Sequence, residues 1–286
     1  MSIQNSMEVQ AVFLILTLIL INIFLLFGHR SYTEPFTQRI PISAGILTYF
    51  APKTLQHTLE TYKKSGFLDM IEDFFVVVQK SDRQLLEKEV CDSFGVRSIL
   101  LSTNGRMASG FRAIYDNART DVILPLENDF VIHGSQEEVA SFLTNALYFL
   151  ERYDIVRGRS RKNAGVPNYA ADFWSQESPH TFMHHTHLCE CAHWEEDPDL
   201  VYPSKIQRVP PQHGSEAWYT TDAKSCNYTN TPFLCKKVFF EKAILPHLVD
   251  GENIEDRLTP IWSAKTYTCV FGPGLFTHDR SYDGHS

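Results

Sequence analysis

The feature that most constrains the fold is a regular alternation of strand-like and helix-like segments across the first half of the chain. Apolar runs rich in β-branched and aromatic residues predict strands at residues 45–50, 74–79, 98–101 and 122–126. Amphipathic segments predict helices at residues 55–66, 82–94, 110–118 and 136–152. Strands separated by helices pair in parallel through right-handed crossovers. The chain is therefore predicted to be an α/β protein with a mainly parallel sheet flanked by helices.

Composition excludes several classes of protein. The 286 residues are 43% hydrophobic, which is enough for a large core and excludes a disordered or low-complexity chain. The formal net charge of −8 argues against a general nucleic-acid binder, which would present a basic face, so no nucleic-acid partner is expected. A mean hydropathy of −0.20 excludes a protein with many membrane spans but allows a single anchor.

The most apolar segment lies near the N-terminus. Residues 11–27 carry no charge, and only Thr17 and Asn22 are polar. Seventeen residues reach the lower limit for crossing a bilayer as a helix. We expect a short tail at 1–10, an uncleaved transmembrane signal anchor at 11–27, and a polar stem at 28–43. A cleaved signal peptide and a buried core helix are the alternatives; the first lacks a basic leading region and the second lacks a polar face.

Two signals bear on the orientation of this anchor, and they disagree. Arg30 and Arg39 follow the apolar run, which favours a cytosolic C-terminal domain by the positive-inside rule. The sequon Asn227-Tyr228-Thr229 favours the lumen. We expect a single-pass membrane protein, of type II in the Golgi or ER membrane, with the cytosol-facing orientation left open.

Six cysteines all lie after the anchor. An even number permits disulfides in an oxidising lumen, and Cys226 and Cys235 are spaced to close a short loop. Six cysteines allow fifteen pairings, so spacing alone does not decide among them.

An acidic turn follows the fourth predicted strand. Glu127 and Asp129 flank Asn128 in the stretch directly after residues 122–126. Alternation along a strand directs Glu127 and Asp129 to the same side, at the carboxyl edge where ligands of parallel sheets bind. Carboxylate oxygens there are suited to hold a divalent cation that bridges phosphates.

The segments around this turn resemble the nucleotide-sugar half of the GT-A-fold glycosyltransferases, and most closely their family-2-like group. Residues 48–52 (Thr-Tyr-Phe-Ala-Pro) resemble the loop after the first strand, and residues 76–82 the second strand with its loop. Residues 104–106 (Asn-Gly-Arg) resemble the segment that leads to the D-x-D motif. In this chain Glu127 replaces the first Asp of that motif.

Two later segments extend the resemblance to the C-terminus. Residues 253–258 contain Glu255-Asp256 and resemble the x-E-D motif, whose Asp is the catalytic base of inverting members. Residues 274–279 resemble the C-terminal histidine segment, whose His completes metal coordination, and place His278 in that role. Residues 44–286 are then one catalytic domain, with a nucleotide-sugar half at 44–152 and an acceptor half at 153–286.

The resemblance implies a set of site residues. The implied catalytic residues are Asp256, as base, and Glu255, and the implied metal ligands are Asp129, Glu127 and His278. The implied donor-binding residues are Thr48, Tyr49, Phe50, Lys80, Asp82, Asn104, Gly105, Arg106, Glu127 and Asn128. A mixed carboxylate and imidazole set favours Mn²⁺ over Mg²⁺.

The resulting expectation is a membrane-anchored, metal-dependent, inverting hexosyl- or pentosyltransferase. Its partners would be a nucleotide-sugar donor and a glycan, protein or lipid acceptor, with a place in glycoprotein biosynthesis. One alternative is an inactive nucleotide-sugar-binding protein. A sugar nucleotidyltransferase is disfavoured because the chain lacks a Gly-rich, Lys- or Arg-bearing loop near its start.

A dense group of soft metal ligands suggests a third alternative, a zinc-stabilised, membrane-tethered interaction module. In an extended segment His185, His187, Cys189 and Cys191 would lie on one side, and such N and S ligands suit a structural Zn²⁺. Their H-x-H and C-x-C spacing departs from that of common zinc sites. The competing interpretation is an irregular loop on the acceptor side.

Two further features have both a functional and a structural interpretation. Arg157, Arg159, Arg161 and Lys162 form a basic stretch in an acidic chain, suited to contact a diphosphate or an anionic acceptor, or else a solvated loop. Trp218 is a candidate acceptor contact by stacking on a sugar ring, although buried packing is the commoner fate of Trp.

Overall fold

The computed structural model describes residues 39–162, 195–279 and 281–282, which belong to the compact unit Arg39–Ser286. The predicted anchor at 11–27 and the candidate zinc ligands at 185–191 lie outside the described residues. Within the described ranges, no helix combines the length and the apolar character needed to span a membrane.

The first half of the domain contains all four predicted strands and the three helices between them. Its elements are β1 Ile40–Thr48, α1 Pro52–Lys64, α2 Phe67–Met70, β2 Ile71–Val78, α3 Gln84–Ser93, β3 Arg97–Leu100, α4 Arg106–Asn117 and β4 Val122–Glu127. Strand β1 begins inside the segment predicted as stem, because Ile40 and Ile42 are buried and belong to the core. The sheet therefore starts before the predicted domain boundary at residue 44.

The second half adds strands that complete the same sheet. Its elements are β5 Phe130–Ile132, α5 Gln136–Leu150, β6 Ile155–Arg159, α6 Pro198–Val201, β7 Gln207–Val209, β8 Trp218–Asp222, β9 Phe233–Lys236, α7 Lys237–Ala243, a 3₁₀ turn at Leu245–His247, α8 Ile254–Trp262 and β10 Thr268–His278.

The sheet has ten strands in the order β3-β2-β1-β4-β9-β6-β10-β8-β7, and β5 pairs with β10. Strands β3, β2, β1 and β4 are parallel neighbours. Strand β9 is antiparallel to both β4 and β6, and β10 is parallel to β6. Strand β8 is antiparallel to both β10 and β7. Seven strands, all except β5, β8 and β9, therefore end at one edge of the sheet, which we call the carboxyl edge. The prediction of a mainly parallel central sheet is confirmed, and the outer part is mixed.

Helices cover both faces of the sheet. Neighbouring residues of β1 point to opposite faces: Leu47 packs in one apolar cluster and Ile46 in the other. Helices α4, α7 and α8 contribute to the first cluster, and α1, α2 and α5 to the second. Because both faces are buried, the central strands read as continuous apolar runs rather than alternating ones.

The cysteines and the sequon differ from the expectations drawn from their spacing. Cys226 and Cys235 are both buried and do not form the bridge that their spacing permits. Strand β9 places Cys235 between β4 and β6, and burial raises the pKa of its thiol. Asn227 of the sequon is 3% exposed, and its side-chain amide donates to the carbonyl of Tyr228. A glycan on Asn227 would not fit this fold, so the sequon no longer favours a luminal domain.

Candidate active site

The acidic turn between β4 and β5 is held by helix α1. The hydroxyls of Thr58 and Tyr62 donate to the carbonyls of Asn128 and Phe130 at 2.6 and 2.8 Å. Burial raises the pKa of the Tyr62 phenol, and the nearby charge of Asp129 raises it further, so Tyr62 remains a neutral donor. Two hydroxyls on one helix therefore fix the backbone on both sides of Asp129.

Asp129 meets His278, the last residue of β10. The Nε2 atom of His278 lies 2.9 Å from Oδ2 of Asp129, and the side chains are only 18% and 15% exposed. The backbone N–H of Asp279 donates to the carbonyl of Asp129 at 2.7 Å. The imidazole also stacks on Phe130, with ring centroids 4.9 Å apart. Backbone, ring and carboxylate contacts together fix the His278 side chain.

An irregularity in β10 brings His278 to this position. The pairing of β10 with β6 shifts between Phe271 and Phe276. Gly274 within this irregular segment has φ +65°, and a Cβ there would lie 1.8 Å from the carbonyl oxygen of Arg159. Only glycine permits this approach. Beyond the irregularity, β10 pairs with β5 so that His278 lies opposite Phe130.

The separation of Asp129 and His278 suits a shared metal ion. Two ligand atoms that bind one ion at 2.0–2.2 Å and at a right angle lie about 3 Å apart. The Asp129–His278 distance of 2.9 Å matches this value. Searched over the described residues alone, the chain holds no group of three or more potential ligands from His, Cys, Asp and Glu. The pair therefore fits an ion whose other ligands are phosphate oxygens and waters, as is usual for cations in nucleotide sites.

A second layer of residues, which the sequence did not single out, surrounds this pair. Nε2 of His57 on α1 lies 3.5 Å from Oδ2 of Asp279, and its ring packs against that of Tyr282 at an interplanar angle of 35°. Burial raises the pKa of Asp279, but hydrogen bonds from Ser281 and the nearby His57 and His133 outweigh this, so its net pKa is lowered. No motif marks His57, because its role depends on the packing of the chain's end against α1.

The predicted base lies at the start of α8. Asn253 caps this helix by accepting from the N–H of Glu255 at 3.0 Å. Both Glu255 and Asp256 are in the first turn, where the helix dipole favours negative charge. Asp256 is exposed, whereas Glu255 is half-buried and accepts from the N–H of Asn230 at 2.7 Å. The two acids of the motif therefore have different environments.

Tyr228 connects this helix with the acidic turn. Its ring is 1% exposed, and burial raises the pKa of its hydroxyl. The negative charges of Glu255 and Glu127 raise that pKa further, while Arg157 lowers it. The structure thus brings Glu127, from the E-x-D turn, and Glu255, from the x-E-D motif, into the surroundings of one buried phenol.

The loop after β1 presents two aromatic side chains at the carboxyl edge. Tyr49 and Phe50 are 46% and 39% exposed, and Phe50 has φ +60°. The loop is anchored by the fully buried Glu87 of α3, which accepts from the Thr48 hydroxyl at 2.6 Å and from the backbone N–H at residue 51 at 3.1 Å. The guanidinium of Arg83 lies 4.1 Å from the centre of the Phe50 ring. No motif marks Glu87 or Arg83.

The other predicted donor residues lie in loops at the same edge. Lys80 and Asp82 are exposed after β2. Asn104 accepts from the N–H of Arg106 at 2.9 Å. The Arg106 guanidinium donates to the carbonyl of Gly251 at 3.2 Å, and the N–H of Gly251 donates to the carbonyl of Gly105. The Asn-Gly-Arg segment therefore packs against the loop that precedes α8.

Comparisons with known proteins find only distant structural similarity to this chain. No family model and no curated protein matches the chain. Among solved structures, S. aureus TarS 1–349 is 14% identical, with 83% of this chain and 60% of that chain covered, and a TM-score of 0.46. Glucosyl-3-phosphoglycerate synthase from Mycobacterium tuberculosis, in complex with Mg²⁺ and uridine diphosphate, is 8% identical, with 70% and 57% covered and a TM-score of 0.39. A cytidylyltransferase from Leptospira borgpetersenii is 15% identical, with 44% and 57% covered and a TM-score of 0.35.

This chain spans less than two thirds of the length of each of these proteins. Likeness at this level identifies no activity. The strand order, the antiparallel β9 within a parallel sheet and the acidic turn after β4 agree with the resemblance drawn from the motifs. The chain has a GT-A-like fold.

The GT-A-like fold buries most of the basic stretch. Arg157 and Arg159 are each 3% exposed on β6. Arg161 donates to the carbonyl of Glu196 at 3.2 Å and lies 5.0 Å from the centre of the Tyr219 ring. Only Lys162 is fully at the surface. It pairs with Glu138 at 3.2 Å and with Glu216 at 2.8 Å. The structure therefore supports neither a solvated loop nor an exposed anion-binding run.

Trp218 does not have the placement expected for an acceptor contact. It is 1% exposed and packs between Phe142 and Phe149, at ring centroid distances of 5.6 and 4.8 Å. A Cβ on Gly272 would lie 2.4 Å from its indole. The prediction is corrected because these contacts leave no ring face exposed for a sugar, so Trp218 is a core residue of β8.

Proposed function

We propose that this chain is a glycosyltransferase that moves a sugar from a nucleotide-sugar donor to a hydroxyl acceptor with inversion, with the help of Mn²⁺ or Mg²⁺. The observation that carries the proposal is the 2.9 Å pair of Asp129 and His278 at the carboxyl edge of a GT-A-like sheet. Their separation and chemistry fit a divalent cation.

Asp129 and His278 are the residues that would hold the cation. When bound, a divalent cation neutralises the charge of a diphosphate leaving group. Glu127, at the end of β4, adds a further negative charge nearby. An acidic protein with a net charge of −8 would otherwise repel an anionic donor. The metal requirement follows from this charge balance.

The nucleotide is proposed to bind across the ends of β1, β2 and β4. Tyr49 and Phe50 expose aromatic faces there, which suits stacking on a nucleobase. The remaining donor-binding residues proposed are Thr48, Lys80, Asp82, Asn104, Gly105, Arg106 and Asn128. Thr48 is buried and acts through the loop conformation that its bond to Glu87 fixes.

Asp256 is proposed as the general base. Its exposed position in the first turn of α8 leaves the carboxylate accessible to an acceptor hydroxyl. Removal of the hydroxyl proton as the oxygen attacks the anomeric carbon opposite the diphosphate gives inversion. General-base catalysis of this kind typically contributes about 10²–10⁴ in rate.

The chain is further proposed to be attached to a Golgi or ER membrane through residues 11–27, whose uncharged sequence supports an anchor. Arg30 and Arg39 favour a cytosolic domain, and the buried sequon removes the argument for the lumen. Protease protection in sealed microsomes tests the orientation: digestion of the domain indicates the cytosol, and protection indicates the lumen.

The proposed reaction is tested by screening the purified chain against nucleotide sugars for thermal stabilisation with Mn²⁺, followed by hydrolysis assays with each stabilising donor. We expect one class of donor to stabilise the chain and to be slowly hydrolysed. Stabilisation without any turnover, with or without acceptor, would indicate a nucleotide-sugar-binding protein instead. No stabilisation by any donor would contradict the proposal.

A further inference from the structure

The loop that joins β8 to β9 lies between the two halves of the proposed site. We call residues 226–231 the bridging loop. Strand β9, which follows it, is antiparallel to β4 and β6, so the loop approaches β9 at the carboxyl edge. The negative charges of Glu127 and Glu255 both act on Tyr228 in this loop.

Arg157 holds the bridging loop from the side of the sheet. Its guanidinium donates to the carbonyl of Thr229 and to the hydroxyl of Thr231, each at 3.3 Å. It also donates to the carbonyl of Asn227 and to the sulfur of Cys226. Burying a guanidinium is costly unless its donors are satisfied. Here the two terminal nitrogens of one side chain bond to acceptors at four positions of a single loop.

Helix α8 holds the same loop from the opposite side. Trp262 Nε1 donates to the carbonyl of Cys226 at 2.9 Å, and the Thr259 hydroxyl donates to the carbonyl of Tyr228 at 3.4 Å. Oε1 of Glu255 accepts from the N–H of Asn230 at 2.7 Å. Glu255, Thr259 and Trp262 have the spacing i, i+4 and i+7, so they form one face of the helix.

This face determines where Asp256 points. Successive residues of a helix are about 100° apart around its axis, so Asp256 is directed away from the face that contacts the loop. Its side chain is exposed, in agreement with this geometry. Rotation of α8 about its axis would move Asp256 and would break the bond of Glu255 to Asn230, so this bond opposes such a rotation.

We propose that Arg157 and Glu255 are positioning residues that fix the direction of Asp256 through the bridging loop. The inference rests on the proposed function, in which Asp256 is the base. Glu255 then has no chemical role of its own: it is needed as a hydrogen-bond acceptor for the N–H of Asn230. Arg157 acts one step further away, by holding the loop that carries this N–H.

The experiment compares Glu255→Gln, Glu255→Ala and Arg157→Lys in the full chain. Glutamine retains an oxygen that can accept from Asn230, so Glu255→Gln should keep kcat within about threefold of the wild type. Glu255→Ala removes the acceptor, and misplacement of the base should lower kcat about 10- to 100-fold. The dissociation constant for the stabilising donor with Mn²⁺ should change by less than about twofold, because the donor side is untouched.

Two further readouts separate positioning from catalysis and from folding. The ascending limb of the pH profile of kcat should persist in Glu255→Ala, since Asp256 still titrates. Amide hydrogen exchange over residues 226–231 should rise in Glu255→Ala and in Arg157→Lys. It should not rise in the matched control Glu252→Gln, an exposed glutamate just before α8 that pairs with Arg257.

The outcomes distinguish this inference from the proposed function. If wild-type protein transfers sugar while Glu255→Ala keeps wild-type kcat, positioning by Glu255 is excluded and the function stands. If Glu255→Gln is as inactive as Asp256→Asn, Glu255 has a chemical role and the inference is overturned. If the wild type neither binds nor turns over any donor, the proposed function fails, and the exchange data still show whether the bridging loop depends on Arg157 and Glu255.

Discussion

The Nε2 atom of His278 lies 2.9 Å from Oδ2 of Asp129, although 149 positions separate the two residues in the chain. Strand β10 pairs with β6 over its first part and with β5 at its end, which places the two side chains together. The site therefore depends on the correct path of the last strand.

Gly274→Ala should strongly destabilise the domain. The new Cβ would lie 1.8 Å from a backbone carbonyl oxygen, at a residue with a positive φ. We therefore expect the free energy of unfolding to fall by more than about 3 kcal/mol. Gly95→Ala is the matched control: Gly95 has a similar φ of +66°, but no atom lies within 4 Å of its Cβ position. The control should cost about 1–2 kcal/mol, the ordinary penalty of a left-handed residue. Urea unfolding measures both; equal losses would contradict the close approach.

Asp256→Asn should abolish transfer and leave donor binding nearly unchanged. The amide cannot accept the acceptor's proton, so we expect kcat to fall by about 10²–10⁴, the usual contribution of a general base. The donor dissociation constant should stay close to the wild-type value. Initial rates with saturating donor, together with calorimetry of donor binding, provide the measurement. Wild-type turnover in this variant would remove Asp256 from the base role.

Glu87→Ala should weaken both stability and donor binding. Glu87 is fully buried and holds the β1–α1 loop through Thr48 and the backbone N–H at residue 51. Loss of these hydrogen bonds should lower the free energy of unfolding by about 1–3 kcal/mol. Because the same loop carries Tyr49 and Phe50, donor affinity should fall as well. Glu89 is exposed on the same helix, so Glu89→Ala is the control and should change neither the stability nor the donor affinity. Donor affinity that stays at the wild-type value in folded Glu87→Ala would separate this loop from the donor site.

Glu138 should make a pH-dependent contribution to stability. The backbone N–H of Ser135 and the ammonium of Lys162 lower its pKa. A carboxyl group with a lowered folded pKa stabilises above its unfolded pKa, about 4.3, and this contribution is lost as pH falls through the folded pKa. The Tm difference between wild type and Glu138→Gln should therefore be present at pH 7 and vanish near pH 3.

The matched control for Glu138 is Glu137→Gln in the same helical turn. It removes a charge near the same helix end without removing the capping bond to Ser135. Two results would contradict a pH-dependent contribution of Glu138. One is a Tm difference from the wild type that is no larger for Glu138→Gln than for Glu137→Gln; the other is a Tm difference for Glu138→Gln that persists at pH 3.

Much of the first half of the domain could be predicted from the sequence because its signals are local. Buried parallel strands read as apolar runs, and a glycine marks the end of α1, where Gly66 has φ +73° after the capping residue Ser65. The E-x-D turn and the histidine segment were identified by motif, and the structure brings Asp129 and His278 into contact.

The remainder depends on contacts between distant segments, which leave no periodic signal. In the sequence, Glu87 resembles an ordinary charged residue of a helix, and Arg157 resembles part of a basic stretch. Both are buried, and each holds a loop of the proposed site. Residue type suggests a sugar contact for Trp218, but this residue is buried in the core. Spacing permits a bridge from Cys226 to Cys235, but the fold does not form it. Residue type and spacing show which chemistry is available, whereas packing determines which side chains can reach a ligand.

The most direct test of the central claim is calorimetry of nucleoside diphosphate binding, with UDP, GDP and ADP each titrated into the purified chain in the presence and absence of Mn²⁺. We predict that one of them binds the wild type only with Mn²⁺, and that Asp129→Ala and His278→Ala each weaken this binding by more than about tenfold. Asp116→Ala, an exposed acid on α4, serves as the control and should bind like the wild type. Mn²⁺-independent binding, or wild-type affinity in both Asp129→Ala and His278→Ala, would contradict the account.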